Sequence, residues 1–281
     1  MNGTGNINGY GNAVNNYIQG NSGNNVIDGG MGSDTMLGGD GTDIYLVDSS
    51  FDRVIENANE GTDVVYTSAS YQLGVNVEYL YLSGTANING YGNAANNYIQ
   101  GNSGNNVIDG GVGSDTLLGG DGTDIYLVDS SFDQVIESDN EGTDVVYSTV
   151  SYQLRSNVEY LYLNGTANIN GFGNSVVNYI QGNSGNNGID GGGGKDALIG
   201  GGGNDTFIFH AGEANGDLVY DFDGADIAVG DLLHFVGYGA GATLTNIDAT
   251  HWQIDYNGGT QHDVITFMNA AAIHSSDYYF T

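Results

Sequence analysis

Six aspartates, Asp34, Asp43, Asp115, Asp124, Asp196 and Asp205, each close a six-residue loop of the form Gly-Gly-x-Gly-x-Asp. Glycine at the first, second and fourth places permits positive φ and is expected to turn successive carbonyl oxygens inward, beside the carboxylate at the sixth. The candidate oxygens then belong to Gly30, Gly32 and Asp34 and to Gly38, Gly39, Gly41 and Asp43 in the first pair of loops. The second pair offers Gly111, Gly113, Asp115, Gly119, Gly120, Gly122 and Asp124, and the third Gly192, Gly194, Asp196, Gly200, Gly201, Gly203 and Asp205. Two facing loops would supply ~6 hard oxygens, which suits calcium, whereas magnesium demands stricter octahedral geometry and retains more water. Zinc or copper would call for His or Cys, and the loops contain neither.

The elements that hold these loops are legible as repeats. Gly-Thr-Gly-Asn-Ile-Asn-Gly-Tyr-Gly starts at Gly3, and near-copies start at Gly84 and Gly165, a period of 81 residues. Nested inside is a nine-residue unit, six residues of turn and three of strand, so two units complete a coil and loops eighteen residues apart stack on one edge. That spacing brings Asp34 to Asp52, Asp115 to Asp133, Asn25 to Asp43 and Asn106 to Asp124; Asn25, Asn106 and Asn187 close weaker loops in which Asn replaces Asp. Facing carboxylates would repel and lose solvation, a penalty of roughly several kcal/mol, so the coil is expected to need its metal. The phase slips by two residues between Glu56 and Asp63, and again before Asp144, so that Asp63 and Asp144 join the candidate ligands late. Segments 71–82 and 152–163, with alternating Val-Glu-Tyr-Leu-Tyr-Leu, are predicted to be longer strands joining successive rolls. Beyond about Ala211 the repeat is lost.

Composition agrees with a periodic, cation-dependent chain. Its 281 residues include 49 Gly and no Pro, and 34 acidic against 3 basic residues give a formal net charge of −31. Self-repulsion of that size argues for counter-cations and against nucleic acid or anionic membranes as partners. Without cysteine, disulfides cannot staple the fold, and metal ions are the expected substitute. No apolar run reaches membrane-spanning length, and the N-terminus lacks the basic and apolar regions of a secretory signal.

Catalytic constellations are missing from the pattern. His210, His234, His251, His262 and His274 lack metalloprotease spacing, there is no Gly-x-Ser-x-Gly elbow, and the glycine clusters lack the Lys and helix of a phosphate loop. Calcium loops of the helix–loop–helix kind are absent too. Trp252 and the tyrosines around Tyr79, Tyr81, Tyr160 and Tyr162 could stack on a polysaccharide, but are expected instead to be rungs covering the core of the roll. Lys195 is expected to face solvent.

These nonapeptides resemble the RTX family of secreted bacterial proteins over nearly the whole chain. The resemblance implies a right-handed parallel β-roll, all-β, in three repeats (1–83, 84–164 and 165–210) with a non-repeating β cap over 211–281. By the family's pattern the backbone oxygens of Gly30 and Gly32 with Asp34 would serve one ion, and those of Gly38 and Asp40 with Asp43 another. The same places bring in Asp121 and Gly202, and Asp217 opens the closing segment. Several calcium ions are implied. Asp217–Asp223, Trp252–Tyr256 and Ser276–Phe280 are similar to the C-terminal region of RTX exoproteins, where a terminal Asp followed by apolar residues belongs to an uncleaved type I export signal; here Thr281 departs from the commonest ending. The expectation is the C-terminal part of a larger extracellular protein, not itself an enzyme, that folds on calcium outside the cell with the type I machinery as partner. Calcium-bridged self-assembly into a layer, filament or matrix is the alternative, and polysaccharide binding beside a missing exoenzyme a third.

Overall fold

The computed structural model describes residues 1–224 and 230–281, so positions 225–229 of the expected cap lie outside the described residues. Two compact units, Met1–Asp144 and Val145–Thr281, make up the chain. Among the described residues there is no α-helix, only a 3-10 turn at Asn257–Gly259, and so no helix long and apolar enough to cross a membrane.

In the first unit every strand is parallel to its neighbours. One face is an eight-stranded ladder formed by Gly9–Tyr10, Val26–Asp28, Ile44–Val47, Val64–Thr67, Tyr79–Leu82, Tyr98–Gln100, Thr116–Leu118 and Gln134–Ile136. The intervening strands, among them Tyr17–Gln19, Thr35–Leu37 and Arg53–Ile55, then Gly90–Asn93, Val107–Gly111 and Ile125–Val128, form the opposite face. Because a three-residue strand sends its middle side chain to one side and its flanks to the other, each three-residue strand contributes one residue to a narrow core, and a four-residue strand two. Ile27, Met36, Tyr45, Val65, Leu80, Ile99, Ile108, Leu117, Tyr126 and Val135 fill it and are fully buried.

Contrary to expectation, segment 71–82 is no long joining strand. It is two short ones, Tyr71–Gln72 and Tyr79–Leu82, on opposite faces of the same coil. The slip in phase is absorbed without breaking the ladder: Tyr45 pairs with Val65, Val65 with Leu80 and Leu80 with Ile99, so a long coil is followed by a short one before the eighteen-residue step resumes at Ile99 and Leu117. Rolls expected to stand in series are therefore continuous across 83/84. Nine strands separate Gly9–Tyr10 from its equivalent Gly90–Asn93, an odd number, so equivalent strands of the first two copies lie on opposite faces.

The tyrosines form the expected rungs over the core. In Tyr79–Leu82 it is Leu80 and Leu82 that are buried, while Tyr79 and Tyr81 point outward; Tyr81 stacks on Tyr66 at 4.9 Å between ring centroids. They are an external ladder, and the aliphatic residues between them form the core.

The second unit repeats the plan with Val145–Ser148, Tyr160–Leu163, Tyr179–Gln181, Ala197–Ile199 and Leu218–Val219 on one face. Tyr152–Gln153, Gly171–Phe172, Gly188–Asp190, Thr206–His210, Leu232–Val236 and Tyr278–Phe280 line the other. Gln261–Phe267 extends the first face in parallel, and His251–Tyr256 and Thr243–Asn246 continue it antiparallel. This closing end has an aromatic interior of Phe207, Phe209, Phe222, Phe235, Tyr238 and Phe267, all buried. Lys195 is exposed, as expected.

One or two side chains per strand leave no redundancy in the core. Leu117→Ala should cost about 2–5 kcal/mol in urea denaturation at saturating calcium, whereas Val112→Ala, on an exposed turn, should stay within about 0.5 kcal/mol.

Candidate metal centres

Along each edge of the roll the turns are tied together by backbone N–H groups donated to carboxylates of the following coil. On one edge of the first copy Asn16 N–H donates to Asp34 Oδ1 (2.7 Å) and Asp34 N–H to Asp52 Oδ1 (2.9 Å). On the other, Asn25 N–H donates to Asp43 Oδ1 (2.6 Å), Asp43 N–H to Asp63 Oδ1 (2.8 Å) and Asp63 N–H to Glu78 Oε2 (2.9 Å). The second copy repeats these bonds from Asn97 to Asp115 to Asp133 and from Asn106 to Asp124 to Asp144. In the third, Asn178 leads to Asp196 and then Asp217, and Asn187 to Asp205 and then Asp231.

What differs along the ladder is the rest of the side chain. An Asn loop closes on itself: Asn106 Oδ1 accepts the Asn102 N–H (2.9 Å) and its Nδ2 donates to the Ile88 carbonyl (2.6 Å), as Asn187 does with Asn183 and Ile169. An Asp loop does not. Asp34, Asp43, Asp63, Asp115, Asp124 and Asp196 each bury an Oδ2 that accepts no hydrogen bond. A buried acceptor left this way costs about 1–3 kcal/mol, more when charged, and a cation is the partner such an oxygen can take.

Among the described residues, two places gather three carboxylates. Asp43, Glu56 and Asp63, all buried, bring ligand oxygens within 4.8 Å of one another, and Asp124, Glu137 and Asp144 do the same. Glu56 Oε1 accepts a hydrogen bond from the Tyr45 hydroxyl while Oε2 accepts none, and Tyr126 donates likewise to Glu137. The donors are oxygens alone, some of them orphaned, which fits calcium rather than a softer metal.

Residues 10–45, 91–126 and 172–207 match the family model of the RTX calcium-binding nonapeptide repeat in its four-copy form. These three segments are RTX calcium-binding repeats. No curated protein matches it. Among solved structures, the extracellular lipase LipA from Serratia marcescens is similar at 14% identity with a TM-score of 0.26, over 77% of this chain; the chain spans 44% of that lipase's length.

Each RTX match holds four loops, so the reading of three per copy missed the first, closed by Asn16, Asn97 and Asn178. The second- and fourth-place glycines do take positive φ, for example Gly39 at 92° and Gly41 at 132°; Gly113 is not among the positive-φ residues. The first-place glycines Gly38, Gly119 and Gly200 are required for a different reason than expected. They too lack positive φ, but a Cβ on Gly38 would run into Asp43 Oδ2 and the Tyr45 hydroxyl. Asp40 and Asp121 are exposed. Asp34 and Asp52 are brought together: Asp34 N–H donates to Asp52 Oδ1, burial and repulsion from Asp34 push the Asp52 carboxyl up, and Asp52 Oδ2 also accepts the Ser49 N–H (3.3 Å). The amide oxygens of Asn25, Asn106 and Asn187 are already engaged within their own loops. Glu56, Glu137, Glu78 and Asp231 were missed because they fall outside the nonapeptide consensus; the one available signal was that Glu56 and Glu137 stand eighteen residues after Gly38 and Gly119.

Burial dominates the electrostatics. It pushes Asp43 and Asp63 up to about 6, Asp124, Asp196, Asp205 and Asp217 to about 7, and Glu56 and Glu137 to about 8, with neighbouring carboxylates adding to it. In calcium-free protein these groups hold protons when folded that the unfolded chain releases near pH 4. Their stabilisation is therefore complete below about pH 4 and is lost as pH rises through 6 to 8. In chelator, circular dichroism should show more residual sheet at pH 5 than at pH 8, because ionised carboxylates favour the unfolded chain. Equal sheet content at the two pH values would contradict this assignment.

Proposed function

We propose that this chain is a calcium-triggered folding module of a secreted protein, exported unfolded by a type I system and closed at its C-terminal end by residues 211–281. One observation carries the reading: carboxylate oxygens buried on both edges of the roll accept no hydrogen bond, within a chain of formal charge −31. Calcium bound there by the RTX Asp loops would supply the missing electrostatic partner, and its binding free energy would become folding free energy. Where calcium is scarce the same charges keep the chain expanded, and millimolar external calcium exceeds or matches the ~10⁻⁴–10⁻³ M affinity of extracellular modules.

The closing strand supports the order of events. Tyr278–Phe280 is paired along Leu232–Val236 in the folded unit, with Asp277 fully buried, so a terminal export signal at this position is accessible before folding rather than after it. The antiparallel extension Thr243–Phe267 and the aromatic interior end the repeat with an atypical edge, as terminal units of stacked repeats must.

Circular dichroism in chelator, followed by calcium titration, tests the proposal: little sheet without calcium and a cooperative gain at ~10⁻⁴–10⁻³ M are expected. A complete sheet in excess chelator would refute it. Asp115→Asn should lower the calcium requirement, because the Asn loops close without an ion; sedimentation in the same titration separates a monomeric module from calcium-driven assembly.

A further inference from the structure

We propose that Glu56 and Glu137 create a second kind of calcium site in the first two copies, a buried cage of three carboxylates distinct from a pair of nonapeptide loops. The inference rests on the calcium-dependent reading above and adds ligands that lie outside every nonapeptide. Glu56 occupies the position eighteen residues after Gly38, where the loop pattern would place another first-place glycine. Its carboxylate is 97% buried by accessible surface, the relative exposure being 3%, and Asp43 and Asp63 are exposed by 0% and 1%. All three present an oxygen that accepts no hydrogen bond, and the oxygens of the triad converge within 4.8 Å. Three like charges so placed are stable together only with protons or a cation, and a divalent ion with flexible oxygen geometry answers both the charge and the spacing.

Tyr45 is the positioning residue. Its hydroxyl donates to Glu56 Oε1, holding the carboxylate whose other oxygen accepts no hydrogen bond, while its ring fills the core. Glu60, on the solvent side and bonded to Asn57 N–H at 2.6 Å, also lies against Glu56. The period of 81 residues repeats the arrangement as Tyr126, Glu137, Asp124 and Asp144. In the third copy Phe207 stands at the tyrosine's place, and the strand register puts Asp221 at the glutamate's, since Ala197 pairs with Leu218 as Thr35 does with Arg53; Asp221 accepts the N–H groups of Gly200 and Gly201 (both 2.8 Å), and no such triad occurs among the described residues. Where the hydroxyl is lost, the carboxylate at this place is taken up by backbone donors, which is what a positioning role for Tyr45 and Tyr126 requires. Asp205 is joined to Asp231 through its backbone N–H, as Asp43 is to Asp63. Among the described residues there are thus two cage sites, each sharing the aspartate, Asp43 or Asp124, that closes an RTX loop.

The test counts calcium ions bound to the full chain, by equilibrium dialysis with elemental analysis, for the wild type, E56Q/E137Q and Y45F/Y126F, with circular dichroism in calcium as the folding control. E56Q/E137Q should bind two fewer ions, or bind two of them at least tenfold more weakly. Terbium supplies a second readout that needs no loss of binding: Y45F/Y126F should keep the ion count while losing a large share of tyrosine-sensitised terbium emission. An unchanged count and affinity in E56Q/E137Q, or undiminished sensitised emission in Y45F/Y126F, overturns the cage and leaves the RTX loops intact, the triad then being a proton-sharing cluster. A wild-type chain that binds no calcium would instead overturn the calcium-dependent reading itself. Should E56Q/E137Q fail to fold, the terbium comparison still decides the matter.

Discussion

Each coil is fastened to the next by a backbone N–H donated to a carboxylate oxygen about one turn further along the chain. That bond fixes the turn, but it buries the carboxylate and uses only one of its oxygens. The other oxygen must find a proton, an amide or a cation. Asn takes the second course and closes its loop with the side chain's own donor, while Asp defers the choice to the solution. Alternation of Asn and Asp loops along one ladder therefore divides the roll into parts that are stable by themselves and parts that depend on an ion.

Much of this was written in the local pattern. Gly-Gly-x-Gly-x-Asp at a nine-residue step specifies turn, strand and the stacking distance of eighteen, and the residues matched to the RTX repeat are those that carry it. Less legible were the features that depend on how irregular coils compensate for one another. The two extra residues before Asp63 read as a break, yet the structure repairs the register with a short coil through Leu80. Tyr79 and Tyr81 were legible as rungs over the core, and the period of two assigns the interior to Leu80 and Leu82 while the tyrosines stack outside. Glu56 escaped notice because a lone acidic residue in an acidic chain carries no signal until the fold places it against Asp43 and Asp63.

The closing part of the second unit solves a different problem. A stack of three-residue strands has no way to terminate with its own repeat, since any added coil exposes the same edge again. Here the small aliphatic core widens into one built from phenylalanines, with Phe209 stacked on Phe235 at 5.7 Å and Phe222 edge-on to Phe267 at 5.4 Å. Larger side chains allow longer strands, Thr206–His210, Leu232–Val236 and Gln261–Phe267, and the last of these turns back on itself in antiparallel fashion. Specific aromatic packing replaces repetition, and the ion-dependent ladder gives way to an ordinary hydrophobic interior.

Nine strands per copy is an odd number, and the first unit shows its effect: Val26–Asp28 and Ile44–Val47 belong to one face, their counterparts Val107–Gly111 and Ile125–Val128 to the other. Duplicating the sequence thus acts as a screw operation, advancing along the axis while turning by half a revolution. Ions taken up at equivalent loops of the two copies would therefore sit on alternate flanks of this unit instead of lining one seam, and their charge would be balanced about the axis.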